Sequence, residues 1–182
     1  MNNSKISLSR NQINIVMALY SNGQYEEAIV QIKSLNELFP NVPILFNLIG
    51  ACYKELGQLE GSVQMFKNAI NINDGYAEAH FNLGVVLKDL GQSESAVKSY
   101  KKAISINPNY PDAYNNLGTL LNDLGQLEAA IESLEWAIAY KHDFSVAHNN
   151  LGNVLYDYGR VEDAVKCFEK AVELNSDYAK AV

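Results

Sequence analysis

Residues 82–104 read NLGVVLKDLGQSESAVKSYKKAI, with two glycines seven residues apart, Gly84 and Gly91. On both sides of Gly91 apolar residues return at a spacing near 3.6: Leu83, Val86, Leu87 and Leu90 before it, then Ala96, Val97, Tyr100, Ala103 and Ile104. Each set falls on one helical face, so the stretch reads as two amphipathic helices joined by a short turn. Gly91 suits the left-handed backbone that ends a helix, where a side chain would be strained.

The pattern returns every 34 residues, as Gly50/Gly57, Gly118/Gly125 and Gly152/Gly159, with Gly23 marking the turn of an earlier copy. Phased on these glycines, a tail of residues 1–8 precedes five units at 9–42, 43–76, 77–110, 111–144 and 145–178, and residues 179–182 begin a sixth. Pro40, Pro43, Pro108 and Pro111 all stand at unit junctions, so they are assigned to architecture. A repeat of this length marks a stack of identical units, each burying its apolar face only against its neighbours. An all-α fold is expected, an α-solenoid of antiparallel helix pairs.

Gly50, Gly84, Gly118 and Gly152 lie inside the first helix of their units, at about 1 kcal/mol each relative to Ala. Close approach of the paired helix offsets that cost, helped by Ala96, Ala130 and Ala164, with Phe66, Tyr100, Leu134 and Phe168 filling the remaining space. Glu26, Glu60, Glu94, Glu128 and Glu162 open the second helices, where the helix dipole favours a carboxylate; they too are structural.

An aromatic, then Leu-Gly or its equivalent, a Tyr, an aromatic and an Ala follow one another in the second unit as Phe46, Ile49, Gly50, Tyr53, Phe66 and Ala69, and Pro108 closes the third. This pattern resembles the tetratricopeptide repeat (TPR) family over about nine tenths of the chain. The first unit departs from it, with Val16 for Gly, Gln12 for the aromatic and Leu35 for Ala, and reads as an N-terminal cap. The resemblance implies a right-handed superhelix whose concave surface is lined by the first helices.

Two columns run along those first helices, away from their apolar faces: Asn14, Asn82, Asn116 and Asn150, joined by Asn153, and Glu55, Asp89, Asp123 and Asp157. Asn is a mediocre helix former, so its return mid-helix needs a reason. One reason is recognition of an extended peptide, since an amide offers a donor and an acceptor to a peptide backbone. The Asn column resembles the asparagine ladder in the TPR region of O-GlcNAc transferases, broken here by Leu48. The alternative is that the amides bond within the array and the acids form a solvated edge. Ile44 and Leu48 would make the N-terminal third of the groove apolar. The expected partner is therefore a protein or peptide, extended, and basic or carrying an apolar anchor. Because Arg10 is the stripe's one base, a clamp for acidic chain ends is excluded.

Composition narrows the classes further. Fourteen Lys and Arg against 21 Asp and Glu give a net charge of −7, which disfavours nucleic acid as a partner. No segment has the length and apolarity of a membrane span, and the N-terminus lacks the apolar run of a signal peptide, so a soluble, cytoplasmic protein is expected. Cys52 and Cys167 read as core residues, and His80, His142 and His148 have no metal-ligand spacing. With no catalytic motif, the chain is expected to be a non-enzymatic interaction scaffold or adaptor without metal or cofactor. An alternative is the recruiting arm of a larger enzyme such as a glycosyltransferase or sulfotransferase, because residues 178–182 (YAKAV) parallel residues 76–80 (YAEAH) and open another unit. Tyr178, Ala181 and Val182 would then form an apolar end, favouring end-to-end self-association.

Overall fold

A computed structural model describes residues 8–180, with side chains through residue 175. Among the described residues all regular structure is helical. The first helices of the pairs are α1 (Arg10–Ser21), α3 (Pro43–Glu55), α5 (Ala77–Asp89), α7 (Pro111–Asp123) and α9 (Ser145–Asp157); the second helices are α2 (Tyr25–Leu38), α4 (Leu59–Ile72), α6 (Ser93–Ile106), α8 (Leu127–Tyr140) and α10 (Val161–Lys180). Pro43 and Pro111 stand at helix starts, where a missing N–H costs nothing. Ser9 caps α1 through a reciprocal pair of bonds with Gln12.

Within each body the pairs turn in the same way. Gly57 and Gly125 each sit at φ 72°, and the next amide reaches back across the turn, Gln58 N–H to the Tyr53 carbonyl at 2.8 Å and Gln126 N–H to that of Leu121 at 2.9 Å. This closes the first helix and starts the second within three residues. Glu60 and Glu128 follow in the first turn of α4 and α8.

The chain forms two compact bodies, Met1–Leu90 and Gly91–Val182, divided at the turn between α5 and α6. In the first, Val16, Ala28, Ile29, Ile32, Leu45, Leu48, Ile49 and Cys52 form a continuous core across α1, α2 and α3. A Cβ on Gly50 would stand 2.7 Å from the Phe66 ring, so the close approach expected there is real. Cys52 is fully buried, and burial pushes its thiol up to about 11.

The second body repeats the device. A Cβ on Gly118 would meet Leu134 Cγ at 2.6 Å, and one on Gly152 would meet the Phe168 ring at 2.6 Å. Ala130, Leu134 and Ala137 are wholly shielded. Cys167, expected in the core, is only half-buried. α10 runs unbroken from Val161 to Lys180, whereas α4, α6 and α8 end at Ile72, Ile106 and Tyr140. The apolar end assigned to Tyr178, Ala181 and Val182 lies outside the described side chains. No helix among the described residues is long and apolar enough to cross a membrane.

Candidate functional site

The polar stripe of the first helices is built from two matching links. In the first body, Asn47 on α3 is 2% exposed. Its amide donates to Glu78 Oε1 at 3.0 Å, and its Oδ1 accepts from Asn82 Nδ2 at 3.1 Å. In the second, Asn115 on α7 is 7% exposed, and its Oδ1 accepts from Asn150 Nδ2 at 2.9 Å. Asn150 Nδ2 also reaches Thr119 Oγ1 at 3.3 Å, while the Thr119 hydroxyl donates to the Asn115 carbonyl at 2.9 Å. A buried amide left without partners costs about 1–3 kcal/mol, which both links avoid.

These bonds change the meaning of the Asn column. Asn82 commits one of its two N–H groups to the preceding unit and Asn150 commits its Nδ2 to two acceptors there, so part of the donor capacity of the column is spent inside the array. Asn116 accepts from its neighbour Asn115 at 3.3 Å, and Asn14 lies exposed on α1. Glu78 and Thr119 fall at stripe positions of the first helices, whereas Asn47 and Asn115 were missed by sequence reasoning; the doubled Asn115-Asn116 and Asn149-Asn150 were the available signal.

The acidic column divides as well. Glu55 Oε1 lies 3.0 Å from Lys54 Nζ and 3.5 Å from the Tyr20 hydroxyl; burial first, then the Glu55 charge, pushes the Tyr20 phenol up to about 12. Asp89, Asp123 and Asp157 are exposed and form no ion pair among the described residues. Leu48, expected in the groove, is 7% exposed and belongs to the first body's core, with Ile44 half-buried against it. An apolar side chain at that place gains more from the packed interface than from water.

The second body gathers the surviving candidates at one place. Thr119, Asn122 and Asp123 from α7 and Asn150, Asn153 and Val154 from α9 line a cleft of about 190 Å³. Asn122 Oδ1 is shut from solvent with no hydrogen-bond partner. The cleft carries the Asp123 carboxylate and the Asn122 and Asn153 amides, while the Asn150 Nδ2 is engaged by Asn115 and Thr119. His80 plays no part here: its Nε2 lies 3.0 Å from the Asp74 carbonyl, which can only accept. Among the described residues no cluster of three or more His, Cys, Asp or Glu could hold a metal ion.

Helix pairs of constant period, packed through glycine and joined by polar links between successive units, define a helical-repeat protein. More closely, family models described as TPR repeat match residues 50–91, 86–123 and 118–159, and one described as Tetratricopeptide repeat matches 145–178. The chain belongs to the tetratricopeptide repeat family, whose members mediate protein–protein interaction. It is similar to a crystal structure of MamA at 27% identity and TM-score 0.82, covering 96% of this chain and 99% of that one. It shares its fold with MamA from Desulfovibrio magneticus RS-1, at 23% identity and TM-score 0.80 over 92% and 95% of the two chains. Anaphase-promoting complex subunit 3 of Dictyostelium discoideum is 33% identical over 55 residues, 30% of this chain. The chain covers 6% of that relative's length.

Proposed function

We propose that this chain is a scaffold or adaptor that captures an extended, basic segment of a partner protein along the polar stripe of its first helices. The cleft between α7 and α9 supports this most: the exposed Asp123 carboxylate and the Asn153 amide oxygen on its lining are acceptors that a lysine or arginine can satisfy, since those side chains carry donors only. A backbone N–H of the segment fits the Asn82 and Asn150 oxygens, the sense in which the stripe resembles the asparagine ladder of O-GlcNAc transferases. Labelled peptides bearing a central Lys or Arg should bind with Kd rising about ten-fold for Asp123→Asn, as for one charged hydrogen bond lost. Unchanged affinity in Asp123→Asn and in Asn153→Ala would sink the assignment, since neither side chain supports the fold.

A second reading, a recruiting arm of a larger assembly or enzyme, draws on the D. discoideum relative, a complex subunit by name that matches over a small part of its length. Purification from native cells at the mass of the free chain counts against it. End-to-end self-association draws on Val146, Val165 and Val172, exposed on α9 and α10; light scattering across a concentration series measures it.

A further inference from the structure

The second helices carry a stripe of exposed and half-buried side chains four residues apart, one per turn. On α6 and α10 its middle places are lysines, Lys98 with Lys102 and Lys166 with Lys170. On α8 the same places hold Glu132 and Trp136, followed by Tyr140. The place that holds Lys102 and Lys170 in α6 and α10 is taken in α8 by the chain's single Trp, which is 47% exposed.

The rings do not merely lie on the surface. Tyr114 of α7 reaches across to join them, with centroids 6.4 Å from Trp136 and 5.7 Å from Tyr140, while Trp136 and Tyr140 stand 5.8 Å apart. All three ring planes agree within 31°. Trp136 nevertheless stays 47% exposed and Tyr140 38%. Mutual stacking fixes the rings at little entropic cost to a later ligand, yet leaves aromatic face uncovered.

Charge selects the occupant. Glu132 lies one turn before Trp136, exposed and without an ion pair among the described residues. Its charge is felt by the Tyr114 phenol, raised by burial, then Tyr140, then Glu132. The neighbouring cation is engaged elsewhere, with Lys141 Nζ 4.5 Å over the Phe144 ring. We infer that the Tyr114–Trp136–Tyr140 platform with Glu132 is a second docking surface, separate from the α7–α9 cleft, for an arginine side chain of a partner protein. A planar guanidinium stacks on a flat ring and still has N–H groups to give a carboxylate about one helical turn away.

Because Trp136 is the sole Trp, its fluorescence reads this surface directly. The probe is a blocked pentapeptide, Gly-Arg-Gly-Arg-Gly, with a citrulline counterpart of the same shape and no charge. Saturable change in Trp136 emission is expected with the arginine peptide, weakened about three-fold or more in Glu132→Gln and absent with citrulline. Asp123→Asn, which strikes the cleft alone, should leave this titration in place. No saturable response, an equal response to citrulline, or indifference to Glu132→Gln overturns the proposal. So does emission that shifts with the concentration of the protein alone, which would assign the face to a second copy.

Discussion

Asn150 donates its amide to Asn115 across 35 residues, at 2.9 Å, and Asn82 does the same to Asn47 across the same separation at 3.1 Å. The position that looked available for ligands is therefore also a tie between successive units.

Removing the donor leaves a buried oxygen orphaned. Asn82→Ala and Asn150→Ala should each lower stability by about 1–3 kcal/mol, whereas Asn14→Ala, on an exposed face of α1, should stay within about 0.5 kcal/mol. Urea unfolding followed by far-UV circular dichroism checks the ranking; equal stabilities would remove the structural role of the ties.

The two kinds of glycine should fail differently. Gly118→Ala pushes a Cβ into Leu134, an overpacking cost of about 1–3 kcal/mol that Leu134→Ala in the same chain should partly relieve. Gly125→Ala meets open space but sits at φ 72°, costing about 1–2 kcal/mol that no neighbouring substitution relieves. Double-mutant cycles by thermal melting distinguish the two.

Leu48→Ala should cost about 2–5 kcal/mol because Leu48 is packed among Val16, Ile32 and Cys52. Its melting temperature should fall sharply. A loss of peptide affinity at unchanged stability would restore Leu48 to the groove.

Alkaline pH should loosen the first body. The thiol of Cys52, at about 11, stands above its ordinary 9.0. Tyr20 and Tyr76, at about 12, stand above 10.0, Tyr76 through burial and then the Glu78 charge. Groups raised by folding contribute stability that is complete below the ordinary value and lost as pH rises through the raised one. Melting temperature should hold to about pH 9 and fall toward pH 12, and Cys52→Ala should move the onset to about pH 10. A flat profile to pH 12 contradicts this.

The helix pairs were legible because their cause is local: a glycine stop, a 3.6-residue apolar spacing and a 34-residue return all lie within one unit. The inward turn of Asn82 and Asn150 was not, because it depends on how α5 meets α3 and α9 meets α7, an angle that no single unit encodes. Leu48 illustrates the same limit, since its side chain goes where Val16 and Ile32 leave room. The α8 aromatics were overlooked because the phased frame draws attention to what recurs, and Trp136 occurs once.

In each of three units a glycine meets a large side chain sixteen residues further on: Gly50 with Phe66, Gly118 with Leu134, Gly152 with Phe168. Such short-range contacts close small loops, for which the entropic toll is low and formation is fast. A whole 34-residue block can therefore be duplicated or deleted without breaking any of these pairings, so the length of the array is open to change while its interior is not.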